Sequence, residues 1–369
     1  MESLEYQCTM NKKSIVAFLL VFVFSNLGLF SSQEKIELEI DKIFELGKED
    51  LLFGSIASIC EDENNNFYVL DRLEHKVFKF SPEGKLILTF GQKGQGPGDF
   101  QNPHSITYSL DGHIVVADEL YNVSFLNPDG TFIERIHLDG RLGVGFIGKN
   151  RYYAWVWQPE DQKQVMVNSQ NNIAQSFFRV PRDSFSVVAP DESGRMVMFN
   201  FARYGYSPSL LFAHFGRYSA VAVGDRYNIL ILDEEGRMLK RIQREIQPEK
   251  ISSREKKYLI NKIEKHANQT GWPTSVIRAI IKKVPEEKVY FDRILLSEKH
   301  VFVFRIKEDI TEEAKLIPVD IFSIQGDFLG SVQIQGKPIF LSDGYMYFNR
   351  SDPEGNIYLE KSAYRVIIQ

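Results

Sequence analysis

The chain has 369 residues, 43% hydrophobic and 25% charged, a globular balance that leaves no room for a disordered bulk. Its net charge of -5 carries no nucleic-acid signature, and two cysteines, Cys8 and Cys60, exclude a disulfide framework. In chain order the first element is a targeting segment over residues 1–32. Lys12 and Lys13 precede an apolar run at 15–24, then Ser25-Asn26, a second apolar patch at 27–30 and Ser31-Ser32. Basic, apolar and small-residue regions in that order make a secretory signal peptide. The alternative is a retained membrane anchor, but residues 15–30 as a helix span only about 24 Å against a hydrocarbon core of about 30 Å. Met10 stands directly before the basic pair, so residues 1–9 read as a start-site artefact. Cys60 would be the one thiol of the mature chain, and export without disulfides suggests a bacterial protein whose core suffices unaided.

Residues 35–46 (KIELEIDKIFEL) alternate apolar and charged, placing Ile36, Leu38 and Ile40 on one face of a strand. Over 54–90 four short strands follow, at 56–59, 67–70, 77–80 and 86–90, joined by tight turns at 62–66 and at Ser81-Pro82-Glu83-Gly84. The unit recurs over 90–136 and again over 220–242. An aspartate ends the second strand each time, and its interval to the turn glycine is 13 (71 to 84), 12 (118 to 130) and 11 (225 to 236). A repeat near 47 residues (Asp71 to Asp118) marks stacked repeats, and four-stranded units of this length are blades of a β-propeller. The expected fold class is therefore all-β: a single propeller domain over 33–369 with six blades, seven being the alternative. Blade three falls at 142–178, blade five at 290–333 and blade six at 338–369, with the 35–46 strand joining the last blade to close the ring. Blade four begins near 185 and runs to 242, which is too long; either 203–215 is an insertion or two incomplete units abut. The 28 Phe and 16 Tyr suit packing between blades. Residues 248–288 break the pattern as a helical hairpin: Ser252 or Ser253 caps a helix to about Ala267, Gly271-Trp272-Pro273 interrupts it, and a second helix runs to about Val284.

These repeats resemble the NHL-repeat family of six-bladed β-propellers, in their bacterial exported form. The likeness rests on GQGPGDFQNPHSI, DGHIVVAD and NPDGTF, strong over 50–137 and fair over 210–243. Among propeller enzymes of this kind, the peptide-amidating lyase binds zinc with histidines at strand starts, and His104 resembles one such ligand. The matching places in blades one and three hold Gly54-Ser55-Ile56 and Leu142-Gly143-Val144, so the other ligands are absent. Calcium-dependent lactonases need carboxylates converging on the channel, whereas the acidic residues here fall mostly in turns.

The glycine-rich stretch 91–100 reads as an inter-blade turn rather than a phosphate cradle, because a strand follows it and Pro97 removes a backbone donor. Repetition of Asp71, Asp118 and Asp225 at one position favours a structural role. In a propeller, connections from an outer strand to the next inner strand share a face with the loops between second and third strands. Segments 91–103 and 248–288 are of the first kind, 72–76 and 119–122 of the second, so all four should crowd one mouth of the channel. A binding site is expected there, built from Arg72, His75, His104, Tyr121, Asn122, Arg226 and Trp272. Trp272 either plugs the core over the channel or stacks in the open. Between residues 249 and 288 ten Lys or Arg face five Glu, a basic cap suited to an acidic ligand or anionic membrane, or simply a solvated face. No catalytic, metal or cofactor set assembles. The expected function is that of an exported, monomeric, non-catalytic binding protein for a protein, peptide or carbohydrate. Nucleic acid is not expected as a partner, and membrane only through an uncleaved N-terminus. The alternative is a metal-dependent hydrolase or lyase, lactonase-like or amidating-lyase-like.

Overall fold

The computed structural model describes residues 36–48, 51–118, 121–138, 141–148, 151–157, 161–168, 172–181, 186–190, 193–200, 208–306 and 316–369. The signal-peptide reading at 1–32 lies outside them. Six four-stranded antiparallel sheets follow one another. Blade one is Ile56–Glu61, Phe67–Asp71, Lys76–Phe80 and Leu86–Phe90, and blade two is Ser105–Tyr108, Ile114–Asp118, Asn122–Leu126 and Phe132–His137. Blade three is Arg141–Gly148, Arg151–Trp157, Asp161–Asn168 and Ile173–Pro181, and blade four is Leu210–Phe215, Tyr218–Val223, Asn228–Leu232 and Met238–Gln243. Blade five is Phe291–Leu296, His300–Arg305, Ile317–Ser323 and Phe328–Ile334. Blade six takes Phe340–Ser342, Tyr345–Ser351 and Ile357–Ile368 from the end of the chain and Ile36–Leu46 from its beginning. Each blade's first strand touches the first strand of the next, and blade six returns to blade one, which closes a ring of six.

Burial explains the sequence pattern. Second strands lie between neighbouring blades with both faces covered, so Phe67–Asp71 and Ile114–Asp118 are buried at every residue and read as continuous apolar runs. At the closure, Phe67 stacks on Phe80 with centroids 5.1 Å apart and meets Tyr347 of blade six at 5.3 Å. Burying each such ring contributes about 1.5–3 kcal/mol. The turn from third to fourth strand repeats one device. Gly84, Gly130, Gly236 and Gly326 take φ between 76° and 87°, and the strand after each carries a register shift.

Blade four corrects the sequence reading. Residues 186–200 do not start it; they form a separate two-stranded ribbon, Ser186–Pro190 with Met196–Asn200. The supposed insertion at 203–215 instead contains the inner strand, Leu210–Phe215. The aspartates divide likewise. The buried carboxylate of Asp71 accepts from the backbone N–H groups of Gly54, Ser55, Leu73 and Glu74, and Asp118 accepts from Gln101 and Asn102. Each clamps the segment entering its blade to its own strand end. Asp225 instead lies 3.6 Å from Arg226 and is partly exposed.

The hairpin consists of α1 (Ser253–Thr270) and α2 (Thr274–Ile281). Ser252 caps α1 in a reciprocal capping box with Glu255, and Gly271 ends it in the left-handed region. Its two legs are joined: Lys288 donates its backbone N–H to Glu249, and the Lys288 ammonium lies 2.9 Å from the buried Glu255 carboxylate. α2 packs on the ribbon strand Ser186–Pro190. Both insertions are outer-to-inner connections, so both stand on one rim.

Candidate functional site

A cavity of about 1030 Å³ occupies the axis of the ring. Its walls come from first strands of five blades, over 58–61, 105–108, 212–215, 295–296 and 340–341. Its mouth is formed by first-to-second strand turns, at 62–65, 109–112, Gly216, Glu298 and Asp343. Those turns leave the sheet on the side opposite the outer-to-inner connections. This cavity therefore opens at the mouth facing away from the helical hairpin.

The wall is part aromatic and part acidic. Phe212, Phe215, Phe340 and Tyr108 supply rings, with Phe215 and Phe340 bridging blades four and six at 6.4 Å. Glu61 accepts from Ser342 Oγ (3.1 Å) and the Tyr347 hydroxyl through Oε1. Burial raises its carboxyl above the ordinary range, partly offset by those two hydrogen bonds and by Lys361 behind it. Lys361 is itself buried with its ammonium 4.3 Å from the Tyr345 ring centroid, and burial lowers its pKa. His214 lies 3.1 Å through Nδ1 from Ser219 Oγ, and burial pulls its pKa down to about 4, leaving a neutral imidazole at the wall. Burial pushes the Cys60 thiol well up, so it stays protonated and unreactive. Asp62 is occupied within its own turn, accepting from the backbone of Asn64 and Asn66 and from the Tyr68 hydroxyl. At the rim, Asp111 faces His113 at 3.6 Å and Asp343 faces Lys299 at 3.3 Å, whereas Glu63 and Glu298 make no ion pair among the described residues.

The seven residues singled out from sequence do not line this cavity. They sit on the other rim in small local groups. Arg72 donates to Asn102, two residues before His104, whose backbone N–H bonds Ala117 at 3.0 Å. His75 (φ 57°) and Tyr121 (φ 62°) hold left-handed backbone. Tyr121 meets the edge of His137, which also contacts Asn122 at 3.3 Å. Arg226 lies by Asp225. Trp272 packs in the hairpin's own cluster with Leu259, Ile263 and Val276, its ring 5.0 Å from His266. The glycine-rich loop is held from outside by Arg135, whose guanidinium donates to the carbonyls of Gln95, Gly96 and Asp99, which supports the turn reading. Among the described residues no group of three or more His, Cys, Asp or Glu is placed to hold a metal ion.

Sequence reasoning missed Glu61, Tyr108, Phe212, Phe215, Phe340 and Tyr347. The signal that could have found them is positional: Glu61, Tyr108 and Phe215 end the first strands of their blades, Phe212 and Phe340 lie within first strands, and Tyr347 pairs with Phe340.

Comparison with known proteins agrees with this architecture. A family model described as 6-bladed beta-propeller, DUF5128, matches residues 21–204. The NHL repeat-containing protein 3 of Mus musculus is 31% identical over 75 residues, 20% of this chain and 22% of that protein, so the chain spans about a fifth of this curated relative. The human counterpart is 30% identical over 71 residues, 18% and 20% of the two chains. Two solved structures share the fold. A member of the duf4221 family from Bacteroides vulgatus has a TM-score of 0.51 at 13% identity, covering 91% of this chain and 100% of that one. A putative exported protein from Bacteroides fragilis has a TM-score of 0.50 at 15% identity, covering 90% and 95%.

Proposed function

The chain is an NHL-repeat-like six-bladed β-propeller, and we propose that it serves as an exported, non-catalytic binding protein whose ligand occupies the axial cavity. One observation carries the reading: about 1030 Å³ of concave space on the axis, walled by inner strands of five blades. That is the size of a small-molecule site, and its lining mixes apolar and aromatic side chains with polar and acidic ones. The inner strands of five blades hold the wall groups in place, so little ordering entropy opposes binding. Export is supported by the basic-apolar-small pattern at 12–32 and by the Bacteroides fragilis protein of the same fold, described as exported.

A metabolite library screened by thermal shift against the whole chain tests this. Thr107→Trp, on the cavity wall, should abolish every hit while leaving the unliganded melting temperature within a degree or two. Hits that survive it, yet vanish in a combined alanine variant of Arg72, His75, His104, Tyr121, Asn122, Arg226 and Trp272, would move the site to the rim under the hairpin. The ribbon and hairpin packed together there favour that rim as the second reading.

A further inference from the structure

We propose that the cavity selects a small organic cation: an amine or quaternary ammonium carried on an apolar or aromatic body. The inference rests on the reading of the axial cavity as the binding site and adds the class of ligand. Its lining is one-sided in charge. Glu61, Glu63, Asp111, Glu298 and Asp343 face the space along with the turn-bound Asp62, while no lysine or arginine among the described residues lines it. The neighbouring cations approach from outside. Lys299 reaches Asp343 from an exposed position, and Lys361 lies behind Glu61, with its ammonium bonded to the Pro82 carbonyl.

Two further observations point inward. Glu61 is the deep carboxylate, fixed through Oε1 by Ser342 and Tyr347, while Oε2 makes no hydrogen bond among the described residues. A half-buried carboxylate with one oxygen held and the other open is an oriented acceptor for an N–H donor or a nearby positive centre. The walls around it carry Tyr108, Phe212, Phe215 and Phe340, whose ring faces attract a desolvated cation and whose bodies cover its apolar part. His214 is neutral and adds no opposing charge. Among the described residues, an anion entering here would meet five or six carboxylates and no cationic partner. A neutral polyol would gain hydrogen bonds but leave the charge uncompensated. The cavity's depth within the ring favours a small molecule over a basic peptide, which would have to lie across the mouth.

Isothermal titration of the full chain separates these outcomes, with phenethylamine, tryptamine and benzyltrimethylammonium as probes. Each is paired with its uncharged alcohol or hydrocarbon analogue and with a carboxylate of the same body. The cations should bind at least about tenfold more tightly than their neutral partners, the carboxylates not measurably. The double substitution Glu63→Gln and Glu298→Gln should weaken cation binding by about tenfold and leave the neutral analogues unchanged. Trp272→Ala should alter neither. Equal binding of cation and neutral analogue, or tighter binding of the carboxylate, overturns the cation inference but keeps the cavity as the site. Binding confined to a lysine-rich peptide overturns it in favour of a macromolecular partner. Absence of binding by every probe, together with library hits indifferent to Thr107→Trp, removes the cavity reading as well.

Discussion

Replacing Asp71 by alanine tests the repeat's construction most directly. Its fully buried carboxylate accepts four backbone N–H groups: Ser55, Leu73 and Glu74 through Oδ1 at 3.0–3.1 Å, and Gly54 through Oδ2 at 2.6 Å. Alanine would orphan all four. An unpaired buried donor costs about 1–3 kcal/mol, and some of the four would recover water through the opened loop, so a net loss of roughly 3–5 kcal/mol is expected. For a chain of this length that corresponds to a fall in melting temperature of about 5 °C. Asp71→Asn should cost less, because the amide oxygen can keep the Oδ1 partners while its NH₂ faces only the Gly54 donor. The sequence-equivalent Asp225→Ala removes only a partly exposed contact of 3.6 Å with Arg226, so it should change stability by less than about 1 kcal/mol. Calorimetric melts of the three variants settle the matter. Equal losses for Asp71→Ala and Asp225→Ala would refute the reasoning, as would a loss for Asn as large as for Ala.

Gly130→Ala should destabilise by more than the roughly 1–2 kcal/mol of its left-handed backbone, because at φ 85° an added Cβ would lie 2.6 Å from the Phe90 ring; Gly344→Ala, at φ 88° with open space around it, should show the backbone cost alone in parallel denaturant titrations. Burial raises the Glu61 carboxyl above its usual 4.5, so the folded chain holds that proton where the unfolded chain has lost it, and its contribution, intact below 4.5, is lost as pH rises through the raised value. Glu61→Gln should therefore raise the melting temperature at neutral pH, with the gain vanishing below pH 4.5, while cation binding falls. Deleting Ile36–Leu46 strips ten partnered residues from Ile357–Ile368 and leaves an open apolar edge; size-exclusion chromatography should show aggregation, and a monomeric product would contradict the closure.

Much of the ring could be read in advance because its blades announce themselves locally. The NPDG turn and DGHIVVAD need only neighbouring residues to form, and the charged-apolar alternation of residues 35–46 marks a strand with one covered face. Blade four resisted because no aspartate clamp to the entry of Leu210–Phe215 stands among the described residues, while the ribbon at 186–200 carries the same apolar runs as a blade strand. The cavity resisted for a different reason. Glu61 and Tyr347 stand 286 positions apart and meet only when the ring shuts, so no local spacing records their contact. Arg135 likewise looks like a solvated outer-strand charge until the loop 95–99 folds over it.

The borrowed outer strand sets an order of events. Residues 36–46 are synthesised long before their partners at 357–368, so blade six stays incomplete until those partners emerge. Such distant pairing makes closure of the ring slow. Glu37, Glu39, Asp41, Lys42 and Glu45, interspersed along that waiting strand, discourage it from joining another molecule in the meantime.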